Sequence, residues 1–258
     1  MAAWRSKLLA ICEAFAADPP VLALPAALFV QRLDRNHSVI IRSKSSNKLG
    51  APPDHFHALI VDRRSFAALH FDPFVLDGRF PPAWDASSDL PVLEWQGSAV
   101  PGRTVPGVQK VLKRSNGPEL LGGCQALLDG SRLLFVRETA SQDLIRDLWT
   151  LLPYSNRSEL MPATFAWNKN LAFDIAVVPA ERADQFIGYM TEEQAGGYPE
   201  GRYELSLQTA AEAGDQASLD ILWARRSRRE MWRLGILLLV VMSIMAAAMR
   251  ILVPGLKL

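Results

Sequence analysis

The sequence predicts a mixed α+β soluble region followed by a helical stalk and one C-terminal transmembrane helix. Three observations predict this fold class. Short apolar or β-branched runs alternate with helical patterns over roughly the first 200 residues. A stretch rich in Ala, Glu, Gln and Leu follows Arg202, and an apolar run with a single charge extends from Leu234 to Val253.

The apolar run from Leu234 to Val253 has the length of a membrane span. About 20 residues at 1.5 Å each form roughly 30 Å of helix, which matches the hydrocarbon core of a bilayer. Its one charge, Arg250, stands near the far end, where the side chain can reach the headgroups. A buried core helix is the alternative, but 254–258 is too short to cover it. We therefore expect a single-pass tail anchor.

Basic residues beside this run predict its orientation. More arginines precede it than follow it, so the positive-inside rule places the N-terminal region in the cytoplasm, at the cell inner membrane. Trp232 stands where an interfacial aromatic residue is expected. The residues expected to contact the lipid bilayer at its interface are Arg225, Arg226, Arg228, Arg229, Trp232, Arg233 and Arg250.

The N-terminal residues predict neither a signal peptide nor a second span. The uncharged run from Leu8 to Cys12 is too short for a signal-peptide core, so an amphipathic first helix is the better interpretation. The apolar run from Val21 to Val30 is short and broken by Pro25, which indicates a buried strand or helix.

Composition divides the chain into five segments. Between Gly97 and Pro118 the sequence is rich in Gly, Pro, Ser and basic residues, which is typical of a boundary. We expect an N-terminal α+β region over 1–115, a second α/β region over 116–200, an Arg-rich helical stalk over 201–233, the transmembrane helix over 234–253 and a tail over 254–258.

In the first region, two strands are predicted at His37–Ser43 and His55–Asp62, joined by a polar loop. A helix in RRSFAALHF, an irregular stretch and a strand at Val92–Trp95 follow, with a short helix near 107–114.

In the second region, PELLGGCQALLDG predicts a helix and RLLFVRE a strand. A helix with Ser141 as its N-cap comes next, and ATFAW and FDIAVV predict two more strands.

Charge and cysteine usage exclude several classes of protein. Basic and acidic residues nearly cancel, 28 against 27, so no nucleic-acid surface is expected. Cys12 and Cys124 lie in apolar surroundings and form neither a metal-binding spacing nor a disulfide framework. The chain contains no phosphate-binding loop, dinucleotide fingerprint or nucleophile elbow, and we expect no cofactor.

The strongest catalytic candidates are His55 and His57. Two residues apart on a strand, their side chains would share a face and could hold a metal, with His37 or His70 as a third ligand. His57 with a nearby carboxylate could also serve a hydrolase. However, no third ligand stands at a recognisable spacing, so ordinary structural histidines are preferred and no metal is expected.

Two stretches resemble the bacterial GTPase-associated protein family. They are GAPPDHFHALIVD and the segment from Leu127 to Trp167, which includes LLPYSNRSEL and a following TF strand. The resemblance implies a non-enzymatic adaptor that acts with a small GTPase in bacterial signalling or defence. The residues that it implies as framework or partner-contact positions are Phe56, His57, Leu152, Pro153, Arg157, Thr164 and Phe165, of which Phe56, His57, Arg157 and Phe165 are the candidate partner contacts.

Two functions are consistent with these observations. We expect a tail-anchored, cytoplasm-facing membrane adaptor that binds another protein, such as a GTPase. The alternative is a membrane-tethered hydrolase that uses His57. Ser243 and Ala247 are four residues apart, a spacing of small residues through which the transmembrane helix could form a homo-oligomer.

Overall fold

The computed structural model describes residues 2–46, 48–80, 102–224, 235–236, 238–243 and 245 of the 258-residue chain. The strands are β1 (Leu28–Arg32), β2 (His37–Ser43), β3 (Phe56–Asp62), β4 (Leu133–Val136), β5 (Pro162–Ala163), β6 (Ile175–Val178) and β7 (Met190–Thr191). The helices are α1 (Ala2–Ala16), α2 (Arg63–Ala68), α3 (Pro73–Asp77), α4 (Val105–Leu112), α5 (Gly117–Leu128), α6 (Gln142–Leu151), α7 (Tyr154–Arg157), α8 (Glu192–Gly196), α9 (Arg202–Ala213) and α10 (Gln216–Trp223), with a 3-10 helix over Ala180–Gln185.

One mixed sheet organises the described part of the chain. Its strand order is β3-β2-β1-β5-β6-β4-β7. The first three strands form an antiparallel meander, β5, β6, β4 and β7 pair with one another in parallel, and β5 is antiparallel to β1. The two halves meet where β1 pairs with β5 at Phe29 and Ala163. The α+β class predicted from the sequence is confirmed.

Local sequence explains the β1–β2 hairpin. A carboxylate oxygen of Asp34 accepts hydrogen bonds from the backbone N–H groups of Asn36 at 2.7 Å and His37 at 2.9 Å. An aspartate that binds the backbone two and three residues ahead closes a tight turn. The following β-branched run Val39–Ile41 is fully buried in the centre of β2.

Aromatic packing joins α1 to the sheet. Phe15 of α1 stacks on Phe29 of β1 at a centroid distance of 4.2 Å and meets Trp167 edge-on at 4.5 Å. The indole N–H of Trp167 donates to the carbonyl oxygen of Ala17 at 3.0 Å, which satisfies a polar group in a fully buried side chain. The first helix predicted from the sequence is therefore confirmed and lies on the core.

Several predicted elements occur where they were expected. β2 has the predicted bounds, β3 begins one residue later at Phe56, and α6 follows Ser141. The strand predicted over ATFAW is shorter in the structure than in the prediction. Of those residues, β5 contains only Ala163. The strand predicted at Val92–Trp95 lies outside the described residues.

The predicted boundary between 1–115 and 116–200 falls in the short connection between α4 and α5. The two regions on either side of it share the sheet through the β1–β5 pairing. Their apolar side chains belong to one buried cluster.

The prediction of a helical stalk over 201–233 is wrong for the part of the chain that forms α9 and α10. Tyr203, Leu207 and Ala211 fall on one face of α9 and are buried, and Trp223 of α10 is fully buried. Gly214 separates the two helices in a left-handed conformation, with φ of 70°, which is typical of the residue that ends a helix. Both helices therefore pack on the core, because each carries an apolar face.

The predicted transmembrane helix over 234–253 is also corrected. In the described residues, no helix has both the length and the apolar character needed to cross a bilayer. The prediction of a single-pass tail anchor over 234–253 is therefore wrong for the described residues.

The remaining predictions for this end of the chain fall outside the described residues. These positions are Arg225, Arg226, Arg228, Arg229, Trp232, Arg233, Ala247 and Arg250. Ser243 is described, and its hydroxyl donates to the carbonyl oxygen of Leu239 one turn earlier at 2.8 Å.

Candidate functional site

His55 lies at the surface immediately before β3. Its Nδ1 is 3.1 Å from a carboxylate oxygen of Asp54, and both side chains are largely exposed. The hydrogen bond with His55 lowers the pKa of Asp54. An exposed neighbouring pair of this kind contributes little, since water screens it.

His57 lies on β3, next to basic and aromatic groups. Its ring stacks on Phe80, with a centroid distance of 6.3 Å and an angle of 11° between the planes. Across the β2–β3 ladder its partner residue is Arg42. Burial lowers the pKa of His57, and the charges of Arg42 and His55 lower it further. The hydrolase hypothesis requires a carboxylate beside His57. The charges that shift the pKa of His57 come instead from Arg42 and His55, which are both basic.

The other two histidines have different neighbours. His37 pairs with Asp34 at 3.0 Å and packs against Trp4, whereas the ring of His70 lies 4.4 Å from that of Tyr154. Within the described ranges, no three His, Cys, Asp or Glu side chains are grouped so that they could hold a metal ion. The fold therefore does not bring the four histidines to one site.

Both cysteines are packing residues. Cys124 is buried in α5, and burial raises the pKa of its thiol. Burial also raises the pKa of Cys12 to about 11. A thiol held in its neutral form is a poor nucleophile.

The candidate partner-contact residues divide into two pairs. Phe56 and His57 lie next to each other on β3 and are half-buried. Phe165 is fully buried, and Arg157 is 4% exposed. Burial of this degree favours a framework role for Arg157 and Phe165, while Phe56 and His57 lie at the margin of the sheet.

β3 is an edge strand with a full row of outward backbone groups. In the described part of the chain it pairs with β2 alone. The N–H of Arg63 donates to the carbonyl of Asn36, and the N–H of Lys44 donates to the carbonyl of His55. This register turns the backbone groups of odd-numbered residues toward β2, so those of Phe56, Ala58 and Ile60 face away from it.

The opposite edge of the sheet is much shorter. β7 spans Met190–Thr191, and α8 begins at the next residue. Thr191 caps that helix in a reciprocal arrangement with Gln194, so the chain leaves the sheet at once. Short edges of this kind are one way in which proteins prevent unwanted strand pairing. Among the described strands, the sheet thus has a long edge at β3 and a short one at β7.

A second constellation surrounds the C-terminal end of α6. One guanidinium nitrogen of Arg103, Nη1, donates to the carbonyl oxygens of Thr150 at 2.8 Å and Leu152 at 2.6 Å. Arg157 donates through Nη2 to the carbonyl of Trp149. The last carbonyls of a helix have no partner within it and carry partial negative charge, so two arginines here satisfy them.

Aromatic rings and burial surround these arginines. The Cζ atom of Arg103 lies 4.3 Å from the ring centre of Tyr154 and 4.1 Å from that of Trp223. Burial, together with the charge of Arg103, lowers the pKa of Arg157 to about 9. Sequence analysis did not single out Arg103. The available signal was the position of Arg157 just beyond a helix that ends in LLP, because basic residues favour helix C-termini.

Comparison with known proteins returned no match to a family model, a curated protein or a solved structure. The function of this chain is therefore inferred from its geometry. The resemblance to GTPase-associated proteins stays a prediction.

Proposed function

We propose that this protein is a non-enzymatic adaptor that binds an extended segment of another protein along β3. The observation that carries the proposal is the difference in length between the two edge strands. β3 has seven residues, and β7 has two. An exposed edge strand offers backbone donors and acceptors to an incoming strand, and many recognition domains bind peptides in this way.

The side chains of β3 support strand addition. Ala58 is exposed and Ile60 is 36% exposed, so this part of the edge carries small and apolar groups. Edge strands that avoid pairing usually carry Lys, Pro or a bulge, and the sequence FHALIVD has neither Lys nor Pro. The partner segment that fits is extended, with apolar side chains opposite Ala58 and Ile60.

Neighbouring residues limit where the partner can lie. Asp62 accepts hydrogen bonds from the backbone N–H groups of Arg64 and Ser65, so the chain turns into α2 directly after the strand. Asp54 and His55 form an exposed pair at the opposite end. The added strand therefore lies between these two polar ends, along the seven residues of β3.

The experiment compares a change on β3 with the same change elsewhere. Ile60→Lys places a charge on the edge, where an added strand would have to desolvate it. Ile187→Lys is the matched control, because Ile187 is 86% exposed and lies outside the sheet. Each intact chain is purified by affinity from its native cells, with a non-hydrolysable GTP analogue or with GDP, and co-purifying proteins are quantified by mass spectrometry.

The proposal expects a stoichiometric partner with the wild type and with Ile187→Lys, and at least a tenfold lower recovery with Ile60→Lys. A partner recovered equally with all three chains would bind elsewhere and would contradict the proposal. Recovery that depends on the nucleotide would identify the partner as a GTPase and would support the resemblance to GTPase-associated proteins.

A further inference from the structure

The arginines at the end of α6 carry more positive charge than their surroundings balance. A helix C-terminus supplies roughly half a unit of negative charge, against one full positive charge on each guanidinium. In the described ranges, neither Arg103 nor Arg157 forms an ion pair with a carboxylate. Buried charges are ordinarily paired, since desolvation of an isolated ion is costly. Asp72 acts on Arg157 at a distance, where its charge raises the pKa that burial and Arg103 lower, but no described carboxylate contacts either guanidinium.

Three guanidinium nitrogen atoms of the two arginines are also unused. Nε and Nη2 of Arg103 and Nε of Arg157 are buried without a hydrogen-bond partner among the described residues. An unsatisfied buried donor costs on the order of 1–3 kcal/mol, and more when it is charged. Guanidinium groups match the geometry of oxyanions, because their N–H groups can bind two oxygen atoms at once.

Tyr154 separates this cluster from the surface. Its ring lies over the guanidinium groups of both arginines, with centroid distances of 4.3 Å to Arg103 and 5.8 Å to Arg157. Arg103, Tyr154 and the adjacent His70 are half-buried, so the cluster reaches the surface on their side. The three nitrogen atoms are themselves buried, so binding of an oxyanion requires the side chain of Tyr154 to move.

The backbone beside the cluster is held in a rare conformation. His70 and Phe71 both have φ of 54°, in the left-handed region that residues other than glycine seldom occupy. The carbonyl of His70 accepts a hydrogen bond from Arg157, and that of Phe71 accepts one from the indole of Trp149. Strained backbone that buried donors hold in place is a common feature of ligand sites.

We propose that Arg103 and Arg157 bind a phosphate group at the end of α6, a site beyond the β3 edge and independent of it. The negative charge of a phosphate group opposes that of the two guanidinium groups, and its several oxygen atoms can accept hydrogen bonds from the three unused nitrogen atoms. The ligand is free phosphate or a small phosphate monoester.

The test is a calorimetric titration of the intact chain with inorganic phosphate and, separately, with phenyl phosphate, at constant ionic strength. Arg103→Gln removes one charge from the cluster. Arg32→Gln is the matched control, because Arg32 also donates to a main-chain carbonyl, that of Ser158, and is exposed. We expect saturable binding to the wild type and to Arg32→Gln, and at least tenfold weaker binding to Arg103→Gln. Binding of both probes indicates a monoester ligand, and binding of inorganic phosphate alone indicates the free ion.

A second measurement on the wild type does not depend on how the variants fold. Phosphate should shift the NMR signals of the Nε–H groups of Arg103 and Arg157, while those of exposed arginines such as Arg32 change little. No saturable heat and no such shift at millimolar phosphate would overturn the proposal, as would equal affinity for Arg103→Gln and Arg32→Gln. Phosphate also stabilises proteins in general by exclusion from their surface, so a rise in melting temperature shared by all three chains counts against a site.

Discussion

Thr164 and Leu28 exchange two hydrogen bonds where the antiparallel and parallel halves of the sheet meet. The hydroxyl of Thr164 accepts from the N–H of Leu28 at 2.8 Å, and the N–H of Thr164 donates to the carbonyl of Leu28 at 2.9 Å. Both residues are buried, with 3% and 5% of their surface exposed. A side chain thus satisfies a main-chain donor at the junction of the two halves of the sheet.

Replacement of Thr164 with valine should destabilise the protein. Valine has nearly the same shape but no hydroxyl, so the buried N–H of Leu28 loses its acceptor at a cost of about 1–3 kcal/mol. Thr209→Val is the control, because Thr209 is exposed on α9. Urea unfolding of both variants gives the free energies of unfolding. Equal values for the two variants would contradict this role of Thr164.

Trp223 should be essential for stability although it lies in the segment predicted to be a stalk. It is fully buried, and its ring stands 4.1 Å from Cζ of Arg103. Trp223→Ala should lower the free energy of unfolding by about 3–5 kcal/mol. Ile221→Ala on the same helix, where the side chain is 72% exposed, should change it by less than about 0.5 kcal/mol. Similar small losses for both variants in thermal or urea unfolding would indicate a projecting stalk.

Gly122 should not tolerate a side chain. A Cβ atom there would lie 2.1 Å from the carbonyl oxygen of Ala195, where α5 packs against α8. Gly122→Ala should therefore destabilise the protein by about 1–3 kcal/mol, because the backbone of α8 would have to move. Gly107→Ala in α4 meets only an ordinary contact at 3.4 Å and should be neutral or mildly stabilising, since alanine favours helices. Differential scanning calorimetry of the two variants checks this contrast.

His57 should titrate below its ordinary pKa of 6.5. Burial disfavours the imidazolium form, and Arg42 opposes it by charge, so Arg42→Gln should raise the pKa of His57. Arg32→Gln, on the adjacent strand β1, is the control and should leave it unchanged. The unfolded chain binds more protons between the two pKa values, so the contribution of His57 to stability falls as the pH falls through that window. NMR titration measures the pKa, and a value at or above 6.5 in the wild type would contradict this account.

Local sequence patterns predicted the elements whose determinants are local. The β-branched run Val39–Ile41 predicted β2, and apolar residues at helical spacing predicted α6. The stalk prediction failed because composition indicated a helix, whereas the spacing of Tyr203 and Leu207 already marked a face that packs on the core. The transmembrane prediction relied on the length and hydropathy of 234–253 and on the basic residues beside it.

The candidate sites depend on contacts between distant parts of the chain. The strand in HFHALIVD was predicted, but its position at the edge follows from the strand order of the whole sheet. Arg103 and Arg157 stand far apart in sequence, and they meet because both bind carbonyls at the end of α6. No periodicity or spacing in the sequence encodes either relationship, which is why Arg103 was missed.

Amide hydrogen exchange of the intact, unbound chain tests the accessibility of the β3 edge most directly. If the edge is open to a partner, the outward amides of Ala58 and Ile60 exchange rapidly, while those of Leu59 and Val61, which face β2, exchange slowly. This alternation within one strand is the result that the account predicts. Slow exchange at Ala58 and Ile60 in the unbound chain would show that the edge is already paired, and would contradict the proposal that β3 binds a partner.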